Sequence, residues 1–323
     1  SGSATVSPGR RLVVAMTQDG LDSFERSVEV KAGAEVVVQI GLEPIRTARL
    51  RDEELSRQQA ARAHAEQAAQ QAQAFYRARQ YSQAVPLFRE ACDAGDASSC
   101  AWLGLLYRDG LGTPRDPAVA MTLLSRACDA QVLRGCSALA TLYVEGQGVR
   151  RDYPRALALN QKACSGGELT GCLNLGGQYQ NGLGVQVDYA QAASLFERAC
   201  TGAVLSACSN LGRLYELGHG VSQDYTEARS FYQKACDGGE MRGCTHLGWT
   251  WETGHGVQQD YLQAATLYRR ACSAGQPLAC NNLGSLYSRG LGLPRDPAQA
   301  RALFNQACQG GVQIGCENLR RMP

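Results

Sequence analysis

The 323-residue sequence predicts a mostly α chain: a right-handed α–α superhelical solenoid of helical hairpins, with a small N-terminal β-sandwich-like module. Three observations predict it. Fourteen cysteines form seven pairs, each eight residues apart, and successive pairs are 36 residues apart. Leu, Tyr, Gly, Asp and Ala positions keep the same beat. Only the residues before 46 depart from helical patterning, and they are β-rich.

Composition narrows the function classes. Lys+Arg number 32 against 30 Asp+Glu, for a net charge of +2, which speaks against a generally basic nucleic-acid binder. No run of 18 apolar residues is present to span a membrane. Ser1-Gly2-Ser3, without a Met, reads as a cloning scar, so any membrane attachment would come through an anchor upstream.

Residues 1–45 come first. The runs 12–16, 27–30 and 35–40 are short and β-rich, with Pro8-Gly9, Asp19-Gly20 and Ala32-Gly33 as turns. The stretches S-P-G-R-R-L-V-V, V-E-V-K-A-G and V-V-V-Q-I-G-L-E-P resemble the second half of a PEGA domain, a β-sandwich module of bacterial envelope proteins. Residues 46–67, rich in Arg, Ala and Gln, predict a solvated helical linker. Residues 68–323 are the repeat solenoid. Its first hairpin, 61–93 with the end of the linker, lacks a G-x-G loop and predicts a cap.

One unit shows the local logic. Cys100, Leu103, Gly104 and Tyr107 share one helix face at i, i+3, i+4, i+7. Gly110 ends that helix as a positive-φ residue. Asp116 predicts the next N-cap, and Pro117 suits the first helical position. Asp224 and Glu227 have the spacing of a capping box. Ala120, Leu124 and Ala127 stripe the second helix. One such hairpin cannot bury its apolar face alone, so neighbours stack.

The run C-x2-L-G-x-L-Y-x2-G-x-G-V-x2-D-Y-x2-A, from Cys208 to Ala228, resembles the Sel-one-like repeat, a 36-residue relative of the tetratricopeptide repeat. The C-x7-C pair is similar to the disulfide-bearing Helicobacter cysteine-rich proteins. Ala140 in place of Gly and Trp251 in place of Tyr are the departures. An eight-residue step across a tight interhelical loop brings two Cα atoms within disulfide range. The expected bridges are Cys92–Cys100, Cys128–Cys136, Cys164–Cys172, Cys200–Cys208, Cys236–Cys244, Cys272–Cys280 and Cys308–Cys316. Zinc or redox chemistry is the competing reading, but zinc favours C-x2-4-C spacings. Disulfides place the protein in an oxidising compartment, periplasmic or extracellular in a bacterial envelope.

No G-x-S-x-G, H-E-x-x-H, G-x4-G-K or S-x-x-K motif is present, so the chain reads as non-enzymatic, with no cofactor and no metal. His219 and His255, in equivalent G-H-G loops, are candidates for a weak loop metal site; two surface histidines is the simpler reading. Function is expected where the units differ. By analogy with tetratricopeptide arrays, the exposed concave positions lie two before and one, five and eight after the second Cys of each pair. These, with the neighbouring column two after that Cys, give the candidate partner-binding residues Asn174, Asn210, Arg213, Glu216, Arg242, His246, Trp249, Glu252 and Asn282. The expected partner is a protein or peptide on the concave surface, with a cell-wall or envelope component also considered, and no nucleic acid. The chain reads as an envelope scaffold. The alternatives are a β-lactam or peptidoglycan binder or hydrolase, which the cysteine-rich relatives imply, and the ectodomain of a membrane-anchored sensor.

Overall fold

The computed structural model describes residues 9–16, 23–30 and 43–322. Two strands, β1 (Gly9–Met16) and β2 (Ser23–Val30), pair antiparallel from Gly9 opposite Val30 to Met16 opposite Ser23. This corrects the expected β-sandwich-like, PEGA-like module. A sandwich needs two packed sheets, and among the described residues one two-stranded ribbon is the whole sheet structure. The expected run at 35–40 lies outside the described residues.

All else is helical. Helix α1 (Glu43–Arg77) runs unbroken across the predicted junction between residues 67 and 68. Side chains 51–64 are exposed, as an Arg-, Ala- and Gln-rich stretch requires, and burial begins at Ala65, Ala68 and Ala72. There α1 packs on α2 (Tyr81–Asp93) to form the first hairpin.

The array then alternates in thirteen-residue helices. The odd series is α3 (Ala97–Asp109), α5 (Leu133–Glu145), α7 (Leu169–Asn181), α9 (Leu205–Leu217), α11 (Met241–Thr253) and α13 (Pro277–Arg289). The even series is α4 (Pro117–Asp129), α6 (Tyr153–Ser165), α8 (Tyr189–Thr201), α10 (Tyr225–Asp237), α12 (Tyr261–Ser273) and α14 (Pro297–Gln309). A short α15 (Gln313–Arg321) closes it, with Arg320 and Arg321 exposed.

Local chemistry explains the alternation. Each odd helix ends on a left-handed glycine, such as Gly218 at φ 70°, which L side chains rarely adopt. The second glycine of the loop, Gly220, lies against the first turn of the preceding even helix, where a Cβ would fall 2.3 Å from the Tyr189 carbonyl carbon. The loop closes when the Asp224 backbone N–H donates to the Tyr215 carbonyl at 3.0 Å. The Asp224 carboxylate then accepts from the N–H groups of Thr226 and Glu227. The capping box expected at Asp224 and Glu227 is therefore not completed, because the N–H that Glu227 would need is already bonded to Tyr215.

The core is a row of large side chains under small ones. Leu124, Phe196, Tyr232, Tyr268 and Phe304 lie buried on even helices, facing Gly104, Gly176, Gly212, Gly248 and Gly284. A Cβ on Gly212 would lie 2.8 Å from the Tyr232 ring. Odd helices also touch one another across units, α3 on α5, α5 on α7 and α9 on α11.

Candidate functional site

The seven bridges close as the spacing predicts, with Cα–Cα distances of 4.5–4.7 Å. Each joins the last turn of an even helix to the first turn of the next odd helix, so the covalent link spans a unit boundary. No cysteine is free. The seven disulfides point to an oxidising, extracytoplasmic environment. Among the described residues no helix is long and apolar enough to cross a membrane.

The nine candidate residues fall into connected groups. Asn174, Asn210 and Arg242 line one pocket of about 340 Å³ between α5, α7, α9 and α11. Arg242 ties two helices there: its Nε lies 3.2 Å from Glu240, and it donates to Asn210 Oδ1 at 3.4 Å. Asn174 Nδ2 donates to Thr141 Oγ1 at 3.5 Å. His246 stacks on Tyr232, centroid to centroid 4.9 Å. Burial pushes its pKa down to about 4, and the Arg213 and Arg242 guanidinium groups push the same way, so the ring is neutral at pH 7.

The two glutamates are committed to structure. Tyr232 Oη donates to Glu216 Oε2 at 2.6 Å, and Tyr268 Oη donates to Glu252 Oε2 at 2.8 Å, one unit apart. Burial first, then the carboxylates, drive both phenols far above their usual pKa. Arg289 reaches back from the next unit to Glu252 at 2.8 Å. Asn282 hydrogen-bonds the same Tyr268. Trp249, half-buried, meets His255 edge-on at 4.9 Å. Arg213 is exposed.

One expectation needs correction. The column one after the second Cys is for the most part not a free surface: Ala101, Ser137, Ser209, Thr245 and Asn281 are buried, because odd helices pack on each other there, and Leu173 is half-buried. His219 lies on Tyr189 at 4.6 Å and His255 stacks on Tyr225 at 4.4 Å, each against the preceding even helix. Among the described residues no group of three or more His, Cys, Asp or Glu is placed to hold a metal.

The hairpin period, the G-x-G loop docking and the Asp caps recur through the array, and the sequence model of the Sel1 repeat matches the same units. Its matches cover residues 76–96, 97–132, 133–168, 170–203, 205–240, 242–276 and 277–312. The chain belongs to the Sel1 repeat family.

Two solved structures share the fold at TM-scores above 0.5. A protective antigen of uropathogenic Escherichia coli strains with an SLR fold is 26% identical at TM-score 0.61, covering 87% of this chain. This chain spans 59% of that protein's length. A Sel1 repeat protein from Oxalobacter formigenes is 27% identical at TM-score 0.66, covering 75% of this chain and 99% of that one. Helicobacter pylori cysteine-rich protein B is 31% identical over 43% of this chain and 99% of its own, at TM-score 0.34. Comparison with curated proteins finds no match. Sel1 repeat proteins are typically protein-interaction scaffolds and generally not enzymes.

The Sel1 array also holds features that the motif does not announce. One is a column of cations 36 residues apart. Lys162 Nζ donates to the Cys128 carbonyl at 3.1 Å, Lys234 Nζ to Cys200 at 3.1 Å, and Arg270 to Cys236 at 3.0 Å. Each cation satisfies the carbonyl end of the preceding even helix, where the helix dipole is negative. The sequence signal was present: two of the three lysines sit in this column. The other feature is Asn160, which occupies the core row otherwise held by Leu, Phe or Tyr. It explains the departure at Ala140, since a smaller side chain facing that position leaves room for a methyl group.

Proposed function

We propose that the face built by the odd helices binds a protein or peptide partner, and that the chain is a non-enzymatic scaffold of the cell envelope, periplasmic or extracellular. Odd helices contact one another across units more closely than even helices do, which favours them as the inner, concave side. The observation that carries the reading is the pocket of about 340 Å³ on that side, where Asn174, Asn210 and Arg242 converge from three successive units. Trp249 and Arg213 extend the surface with an amphipathic ring and a free guanidinium, the residue types that dominate binding hot spots. Glu216, His246, Glu252 and Asn282 support it by fixing Tyr232 and Tyr268 beneath. The disulfides hold each unit boundary, so little order remains to be gained on binding.

The test is capture from envelope extract on immobilised wild-type protein and on the Arg213→Ala, Trp249→Ala double variant. A partner retained by the first and lost by the second is expected. Equal retention by both sinks the surface. Nitrocefin turnover by the purified chain, abolished by one substitution, would replace the scaffold reading with an enzymatic one.

A further inference from the structure

One loop of the array concentrates positive charge. Where α5 turns into α6 the chain reads Val149-Arg150-Arg151-Asp152-Tyr153-Pro154-Arg155, and all three arginines line one depression of about 480 Å³. The positions of Arg150 and Arg155 carry Gln186 and Gln191 in the next unit, and Gln258 and Gln263 further along. No other loop of the array holds more than one cation at these three positions.

Two of the three guanidinium groups are held in place. Arg151 Nε donates to the Glu145 carbonyl at 3.3 Å, a contact that Arg115 and Arg295 repeat in their own units. Arg155 lies 4.8 Å over the centre of the Tyr143 ring, which is itself buried. No described carboxylate lies within ion-pair range of any of the three. Asp152 is the one acidic residue in the lining, and its Oδ1 accepts the Arg155 backbone N–H at 2.9 Å as the cap of α6.

This placement works against the fold twice. Neighbouring like charges repel, and cations beside a helix N-terminus oppose its dipole. Helix α10 shows the favourable sign, with Glu227 at the position of Arg155. Cations gathered against both effects, and left without a counter-charge, mark a place where local rules yield to function.

We propose that this depression binds a phosphate monoester. Three arginines less one aspartate leave two net positive charges, which a dianion neutralises and a carboxylate only halves. The three terminal oxygens of the ester accept from guanidinium forks that reach it from different directions, whereas a carboxylate offers two oxygens in one plane. The organic part of the ester lies along Val149 and Pro154. The site is on the loop edge of the array and is independent of the partner reading of the odd-helix face.

The probe is inorganic phosphate, titrated into ¹⁵N-labelled full chain at constant ionic strength and a pH of about 8, with acetate as the monoanionic control. Saturable shift changes are expected for the loop and first turn that carry Arg150, Arg151 and Arg155, with acetate at least about tenfold weaker. Arg150→Gln with Arg155→Gln installs the residues that two other units carry, so the variant folds. It should bind phosphate at least about tenfold more weakly, having lost two charged donors. Without phosphate it should unfold at an equal or higher urea midpoint, since the repulsion is gone. Glucose 6-phosphate in solution, and phosphatidic acid in phosphatidylcholine vesicles, separate a soluble from a lipid-borne ester: the source is whichever the wild type binds and the variant does not. Acetate binding as tightly as phosphate, shifts that survive the double substitution, or no saturable shift would each overturn the site. A lower midpoint in the variant would show that the arginines serve the fold instead.

Discussion

Glycines in neighbouring odd helices should answer the same substitution with opposite signs. Gly212 and Gly177 are both helix-interior residues, in α9 and α7, and Ala in either removes the conformational freedom that disfavours Gly. That gain is about 1 kcal/mol at each site. What differs is the space. At Gly212 the new methyl would lie 2.8 and 2.9 Å from two Tyr232 ring carbons and 3.0 Å from the Ala228 carbonyl oxygen. The Tyr232 ring is fully buried, and its hydroxyl is tied to Glu216 at 2.6 Å, so it has no free direction in which to yield. Overpacking of this kind costs about 1–3 kcal/mol. At Gly177 nothing lies within 4 Å, so only the gain remains. Subtracting the two variants cancels the propensity term and leaves the overpacking. Gly177→Ala should be more stable than wild type by about 1 kcal/mol, and more stable than Gly212→Ala by about 1–3 kcal/mol. Urea unfolding followed by far-ultraviolet circular dichroism gives both numbers. Equal midpoints for the two variants would falsify the packing argument, and a destabilised Gly177→Ala would show that the space beside Gly177 is not open.

Other outcomes follow from the same geometry. Cys200→Ala with Cys208→Ala opens a loop of nine residues between cysteine positions 200 and 208, and the chain-entropy relation gives a loss of roughly 2.6 kcal/mol; non-reducing peptide maps of the wild type should show only bridges between cysteines eight apart. His246 binds its proton less readily folded, at about 4, than unfolded, at the ordinary 6.5. The unfolded chain therefore takes up the extra proton, so stability present above pH 6.5 drains away as pH falls toward 4, by up to about 3 kcal/mol. His246→Asn, the residue its neighbours Asn210 and Asn282 carry, should flatten that slope in pH-dependent urea midpoints. Lys234→Met removes the donor to the Cys200 carbonyl and should cost about 0.5–1 kcal/mol; an unchanged midpoint would show that the contact is idle.

Much of this architecture was legible in the sequence because it is local. A 36-residue beat, a glycine after each odd helix and an Asp before each even one specify a hairpin within a single unit. Cysteines eight apart across one tight loop have no nearer partner. The N-terminal strands were legible as β-forming but not as a sandwich, since β propensity says nothing about a second sheet to pack against. The candidate surface was legible only in part. Variation between units marked Arg213, Arg242 and Trp249, yet it marked Ser209 and Thr245 equally, and those are buried between helices.

What the sequence by itself determined is therefore the unit: its helices, caps, loops and staples, all set by residues within a few turns of one another. Only the tertiary structure decided what happens between units. Asn160 pairs with Gln178 eighteen residues on, Arg289 reaches back to Glu252 across 37 residues, and Lys234 caps Cys200 from 34 residues away. Those separations match no helical or loop period. They arise because stacked hairpins bring unlike faces together, and the packing of large rings under glycines fixes which side chains meet.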